Sequence, residues 1–246
     1  MKNKIFLFGI IGVIIIGIVY ITWKFNNPNQ NSPSPVETNE QFELQKGLVA
    51  HYAFNGNGKD DSENKNDGTF YGASFTSDKF GNPSKACNFN GVDNYISVNP
   101  HNSLNLKDSF SIAFEVKLYS SKPHHILVKG DNTTSEYSVT FERERICFNQ
   151  QNKQIIVKSQ AKLNLNQWYH VTITFANSLA RIYINAKYDA QGKINNFFNS
   201  HKTGLTIGSF PNTKSIWNLN GVLDEMRIYN RLLSESEMEE LNQKHN

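Results

Sequence analysis

The chain lacks most of the features that mark a metal-clamped, disulfide-stapled or nucleic-acid-binding protein. Only two cysteines occur, Cys87 and Cys147. That number excludes a disulfide scaffold, and no C-x-x-C is present to suggest zinc or redox chemistry. Whether the two pair with each other stays open, because nothing in the sequence sets their separation. Net charge is only +3 over 246 residues, and the densest charged stretch, Glu142-Arg143-Glu144-Arg145, alternates in sign. This excludes an electrostatic footprint for nucleic acid and fits a solvated strand surface. G-x-S-x-G, H-E-x-x-H and phosphate-cradling glycine loops are missing, so nucleophilic, zinc-protease and nucleotide chemistries have no support.

One long apolar run is present. Ile5 to Trp23 carries no charge, and its roughly 28 Å as a helix would cross the hydrocarbon core of a bilayer. Tyr20 and Trp23 sit at its far end, where amphipathic rings favour the interface. Lys2 and Lys4 precede it, which keeps residues 1–4 cytoplasmic. No small-x-small cleavage site appears in "VYITWKF", so residues 5–23 read as an uncleaved signal-anchor. A single-pass membrane protein follows, its remainder exported to the cell surface or periplasm; cleavage would make it a secreted one. Residues 24–46 are rich in Asn, Ser and Pro, too poor in apolar side chains to fold, and read as a disordered linker.

From Gly47 to Asn246 the pattern changes to short alternating runs between Gly, Asn and Asp turns: "GLVAHYAF", "TFYGASF", "NYISVN", "SFSIAFEVKLY", "HHILVKG", "EYSVTFERERICF", "WYHVTITFANSLARIYIN" and "GVLDEMRIYN" among them. Many short strands without intervening helices predict an all-β, two-sheet antiparallel sandwich or jelly roll. "ANSLA" reads as a hairpin turn, with Val171, Ile173 and Phe175 facing the core from one arm and Ile182 and Ile184 from the other. One short helix closes the chain, capped by Ser234 and Glu237, with Met238 and Leu241 on its docking side.

Five stretches, in order, carry a family likeness: "GLVAHYAFNGNGKDDSENKNDGT", "FNGVDNYISV", "LNLKDSFSIAFEVKL", "WYHVTITFANSLARIYIN" and "LNGVLDEMRIYNRLLSESEMEEL". With them the chain resembles the laminin G-like jelly-roll domains of the concanavalin A-like lectin/glucanase superfamily. The resemblance implies about a dozen strands, a role in binding carbohydrate or another surface ligand, and often a bound calcium ion. It implies also that the first and last strands lie close together, and that Trp168 is a packing residue.

Asp224 and Glu225 stand side by side in the last strand, and a glycosidase needs two carboxyls flanking one bond, about 5–10 Å apart. Strict alternation would put Val222, Asp224, Met226 and Ile228 on one face and Leu223, Glu225, Arg227 and Tyr229 on the other, so the pair would diverge. The glucanases of the superfamily carry E-x-D-x-x-E, which this chain lacks. A catalytic pair is therefore not expected, and no enzyme activity. Asp224, on a half-buried face, needs a partner. Two options stay open: backbone N–H groups, or a structural calcium ion held by Asp60 and Asp224 with Asn55 or Asn64. Glu225 is expected to meet Arg227 or solvent.

For a ligand, Trp217 in a loop before the last strand is a candidate stacking platform or else a buried packing residue, and Tyr119 and His124 lie near another loop edge. His124 and His125, adjacent in a strand, are expected at the surface and facing opposite ways. The leading expectation is a membrane-tethered, extracytoplasmic, non-catalytic module for a glycan or other surface polymer. The alternative is a structural or protein–protein adhesion domain without a sugar site.

Overall fold

The computed structural model describes residues 43–130, 135–150, 154–194, 203–211 and 217–243. The expected anchor over 5–23, the tail before it and the linker as far as residue 42 lie outside the described residues. Among the described residues, no helix is long and apolar enough to cross a membrane. The compact unit opens at Leu44, slightly ahead of the expected boundary at Gly47. Leu44 is buried beside Leu48, Tyr229 and Leu241, so apolar burial and not the Gly47 turn sets that edge.

The described strands form two antiparallel sheets. Sheet A runs in the order β13 (Lys187–Lys193), β12 (Leu179–Ile184), β11 (Trp168–Ala176), β6 (Ser109–Leu118), β15 (Asn220–Tyr229), β4 (Ala86–Asn90) and β3 (Ser74–Thr76), and β1 (Leu48–Tyr52) also pairs with β15. Sheet B runs β10 (Gln154–Lys158), β9 (Arg145–Gln150), β8 (Ser135–Glu142), β7 (His124–Gly130), β14 (Leu205–Ile207), β5 (Tyr95–Val98) and β2 (Gly68–Tyr71). The all-β sandwich is as expected, and its first and last strands are direct partners.

Alternation builds the core. Val171, Ile173, Phe175, Ile182 and Ile184 of sheet A pack with Leu127, Val139, Phe148 and Ile207 of sheet B in one buried cluster. Each such side chain contributes roughly 1.5–3 kcal/mol when taken from water. The β11–β12 turn is made by Asn177 and Ser178, at φ of 51° and 61°. Two consecutive left-handed residues are the mark of a turn whose twist matches its flanking strands. At the edge where the sheets meet, a Cβ on Gly192 would lie 2.0 Å from the Ile156 carbonyl oxygen, so only glycine lets β13 approach β10.

Helix α1 (Glu235–Gln243) docks on the outer face of sheet A, with Met238 and Leu241 buried against Ala113 and Tyr229. Its capping box forms: the Glu237 N–H donates to Ser234 Oγ, and the Ser234 N–H donates to Glu237 Oε2. Cys87 and Cys147 are both free and buried, one in sheet A and one in sheet B.

Candidate functional site

Asp224 and Glu225 do not follow simple alternation. Across from β6, Asp224 pairs with Glu115 and Arg227 pairs with Ala113, so one residue too many lies between them. The excess is absorbed at Glu225, whose φ is +49°. Such a bulge resets the alternation of the strand. Leu223, Met226 and Ile228 consequently face the core. Asp224, Arg227 and Tyr229 share the outer face with Glu115, His170 and His51, their cross-strand neighbours. The expected grouping of Asp224 with Met226 and Ile228 is thus corrected. So is the expected divergence from Glu225, whose carboxylate pairs with Arg227 Nη2 and meets His51 Nε2 at 3.0 Å on that same face.

This outer-face cluster is roofed. Lys79 Nζ donates to Glu115 Oε1 at 2.6 Å and to the Asn242 carbonyl at 2.9 Å, which ties the loop after β3 and the end of α1 over it. Asp224 is only 3% exposed. Burial, and next the Glu225 charge, push its carboxyl up to about 8. Burial likewise raises Glu115 against the opposing pull of Lys79. Burial, then Lys79 and Arg227, hold the His170 imidazole down at about 3. The arrangement is a buried charge network in which Glu115 pairs with Lys79 and Glu225 with Arg227, while His170 Nδ1 and the Tyr229 hydroxyl have no hydrogen-bond partner. It offers no open pair of carboxyls on either side of a sugar bond.

Asp60 and Asp224, two of the four residues expected around calcium, each have hydrogen-bond donors of their own. Asp60 Oδ1 accepts from the His51 and Ser62 N–H groups at 2.8 and 2.9 Å. Its Oδ2 accepts from Ser62 Oγ and the Asn66 N–H. Asn64 Nδ2 donates to the Val49 carbonyl at 3.0 Å, and Asn55 is exposed. The charges acting on Asp224 come from Glu225, Asp78 and Glu115. Asp60 is thus satisfied by hydrogen bonds from its own loop and neighbouring strand, and Asp224 by the Glu225 N–H at 2.8 Å. Among the described residues, no three His, Cys, Asp or Glu side chains gather as metal ligands.

Sheet B presents a different outer face. With Leu127, Val139, Phe148, Ile207 and Ile96 turned inward, the alternate row crosses all seven strands as Thr69, Ser97, Thr206, Val128, Ser138, Asn149 and Ile155. No member of that row is charged, and its middle, Thr206, Val128, Ser138 and Asn149, is buried. Asn149 is 2% exposed; its Nδ2 donates to Thr140 Oγ1 at 2.9 Å, and its Oδ1 has no partner. Beside the row, the His125 ring lies 5.4 Å from both Phe210 and Trp217. The His125 N–H donates to the Trp217 carbonyl at 2.7 Å, which fixes the loop to the strand. Gly208 begins the turn toward Phe210 at φ +86°, where a Cβ would strike the Phe89 ring at 2.5 Å. Cys147, on this face opposite Thr140, is no nucleophile: burial, then Glu142, pushes its thiol up to about 11.

The histidine expectation divides. His124 and His125 do face opposite ways, but neither is at the surface; they are 2% and 5% exposed. His124 Nδ1 and Nε2 meet the Asn218 and Ser120 carbonyls at 2.9 and 3.0 Å, and its ring stacks on Phe141. It ties loops together, while its neighbour His125 joins Trp217. Tyr119 lies on the other sheet, exposed, with Lys117 between it and Trp168. Sequence reasoning missed His125, Phe210 and Asn149. They come from separate strands and a loop, and no pattern within any one of them marks which strands are neighbours.

A family model described as the concanavalin A-like lectin/glucanases superfamily matches residues 90–239. No match is found among curated proteins. Domain 4 of AbnA, an extracellular arabinanase from Geobacillus stearothermophilus solved with arabinotriose, is similar at 20% identity and a TM-score of 0.66, over 80% of this chain and 98% of that one. The binding domain of Paraclostridial Mosquitocidal Protein 1 is similar at 20% identity and a TM-score of 0.67, over 81% of this chain and 52% of that one. The binding domain of botulinum neurotoxin DC in complex with SialylT is similar at 16% identity and a TM-score of 0.62, again over 81% and 52%. The chain therefore spans about half the length of the two toxin binding domains.

Proposed function

The chain belongs to the concanavalin A-like lectin/glucanases superfamily, and from that premise we propose that its sandwich is a non-catalytic carbohydrate-binding module held outside the membrane by an N-terminal anchor. The observation that carries this reading is the aromatic group of His125, Phe210 and Trp217 beside the uncharged outer row of sheet B. An aromatic face suits the apolar side of a pyranose. Two of the similar structures, the arabinanase domain and the neurotoxin domain, were solved with sugar ligands named in their descriptions, which supports a glycan as the class of ligand. The burial of Asp224 and Glu115, and the pairing of Glu225 with Arg227 and His51, supports binding without hydrolysis.

The full chain in detergent, applied to a glycan array, is expected to retain a subset of oligosaccharides, with Trp217→Ala weakening retention. Silence across the array, beside capture of a protein on the same surface, would sink the sugar reading and favour an adhesion domain. Protease treatment of intact cells tests the exported location: residues 44–246 are expected to be cleaved and residues 1–4 protected.

A further inference from the structure

The end of sheet A farthest from α1 holds a cation without an acid. Across β11, β6, β15 and β4, the outer row there is Trp168, Lys117, Val222 and Asn88. Lys117 Nζ stands 5.0 Å from the centre of the Trp168 ring and 5.7 Å from that of Tyr119. The ammonium is held by the attraction of two ring faces. No carboxylate of the described residues forms an ion pair with it. Glu115, two residues along the same strand face, is already taken by Lys79 at 2.6 Å. The Asp189 carboxylate, which meets the stretch 160–169, is taken by the Gln160 and Ala161 N–H groups, and the stretches 116–123, 160–169 and 217–222 themselves contain no Asp or Glu. They offer amides instead, among them Asn164, Asn166 and Gln167, and they bring a second lysine, Lys122. Tyr119 is 39% exposed, and Leu165 is exposed too, next in sequence to Asn166, whose N–H donates to the Leu118 carbonyl.

Two aromatic faces give a lysine position but leave its charge uncompensated. An anion that brings its own flat apolar surface meets both needs at once, pairing with the ammonium while it lies on the exposed Tyr119 ring. A sugar bearing a carboxylate has that combination: an anionic group for Nζ, a pyranose face for the ring, and hydroxyls for the surrounding amides. We propose that Lys117, Tyr119 and Trp168 form a binding site for a carboxylate-bearing sugar on sheet A, separate from the neutral row on sheet B. The proposal rests on the carbohydrate-binding reading above and narrows it to acidic glycans at this position.

The test compares a galacturonic acid trisaccharide with its neutral methyl ester, and sialyllactose with lactose, by titration calorimetry on the full chain in neutral detergent. The acidic member of at least one pair is expected to bind about tenfold more tightly, the scale of one charge-assisted contact. That preference should shrink as salt rises. Lys117→Met should remove it and Lys117→Arg should keep it. Lys117 is a half-exposed side chain without a structural ion pair, so its replacement leaves the fold intact, which a thermal melt verifies. Equal affinity within both pairs, or an acid preference that survives Lys117→Met, overturns this site while neutral sugars dependent on Trp217 keep the general reading. No binding by any of the four sugars, alongside a silent glycan array, overturns both.

Discussion

The backbone N–H of Glu225 donates to the Oδ1 of its own chain neighbour Asp224 at 2.8 Å, and the carboxyls of both residues lie on the same outer face of sheet A. Two acids adjacent in a strand should diverge, and here a left-handed residue folds one back beside the other. The consequence is electrostatic: the Glu225 carboxylate adds to the cost of ionising Asp224.

Asp224 should therefore make the protein less stable as pH rises. Its folded-state value of about 8 lies above the ordinary carboxylate range. Between about pH 4 and pH 8 the folded state holds a proton that the unfolded state has released, so stability falls across that window. His170, held down at about 3, acts the opposite way, and its contribution is lost as pH drops from about 6.5. The two therefore act separately only above about pH 6.5. Denaturant midpoints measured from pH 6.5 to 8.5 should fall in the natural protein and flatten in Asp224→Asn. An unchanged slope in the variant would contradict the assignment.

Glu225 is the counter-charge of a buried arginine. Arg227 is 6% exposed, and its guanidinium pairs with Glu225. Glu225→Ala should cost about 3 kcal/mol, because it leaves that charge buried and unpaired. Chemical denaturation measures it directly; a loss under 1 kcal/mol would mean that Arg227 finds another partner.

Lys79 should stabilise the fold more at alkaline than at acid pH. It is the ammonium that offsets the buried Glu115 and grips the Asn242 carbonyl at the end of α1. In Lys79→Met, Glu115 can protonate at low pH but must stay charged or take up a proton at a cost at high pH. The variant's deficit is expected to grow from pH 5 to pH 9, with faster amide exchange in α1. A deficit that does not vary with pH would point to packing alone.

Asp60 should matter for stability and calcium should not. Four hydrogen bonds from His51, Ser62 and Asn66 converge on its carboxylate. Asp60→Ala is expected to cost about 3 kcal/mol through the donors it strands. Melting with calcium or with a chelator should give the same midpoint. A midpoint raised by calcium would show that an ion binds the folded state.

Periodicity, turn chemistry and capping are local properties, and they were legible residue by residue. The inward sets on β11 and β12, the turn at Asn177 and Ser178, and the Ser234–Glu237 cap all follow from neighbours a few positions apart, and so did the sandwich. The likeness of the first and last strands to a known family anticipated the β1–β15 pair.

The site was decided at longer range. β15 is paired by β6 on one side and by β4 and β1 on the other, and fitting those registers forces an extra residue at Glu225. Nothing within the strand announces that residue, so the faces of Asp224, Met226 and Ile228 could not be read from alternation. The same holds for Asn149, His125 and Trp217, which share one surface because sheet order places β9, β7 and a distant loop together. Local patterns determine which way a strand faces, whereas only the pairing of remote strands determines what it faces beside.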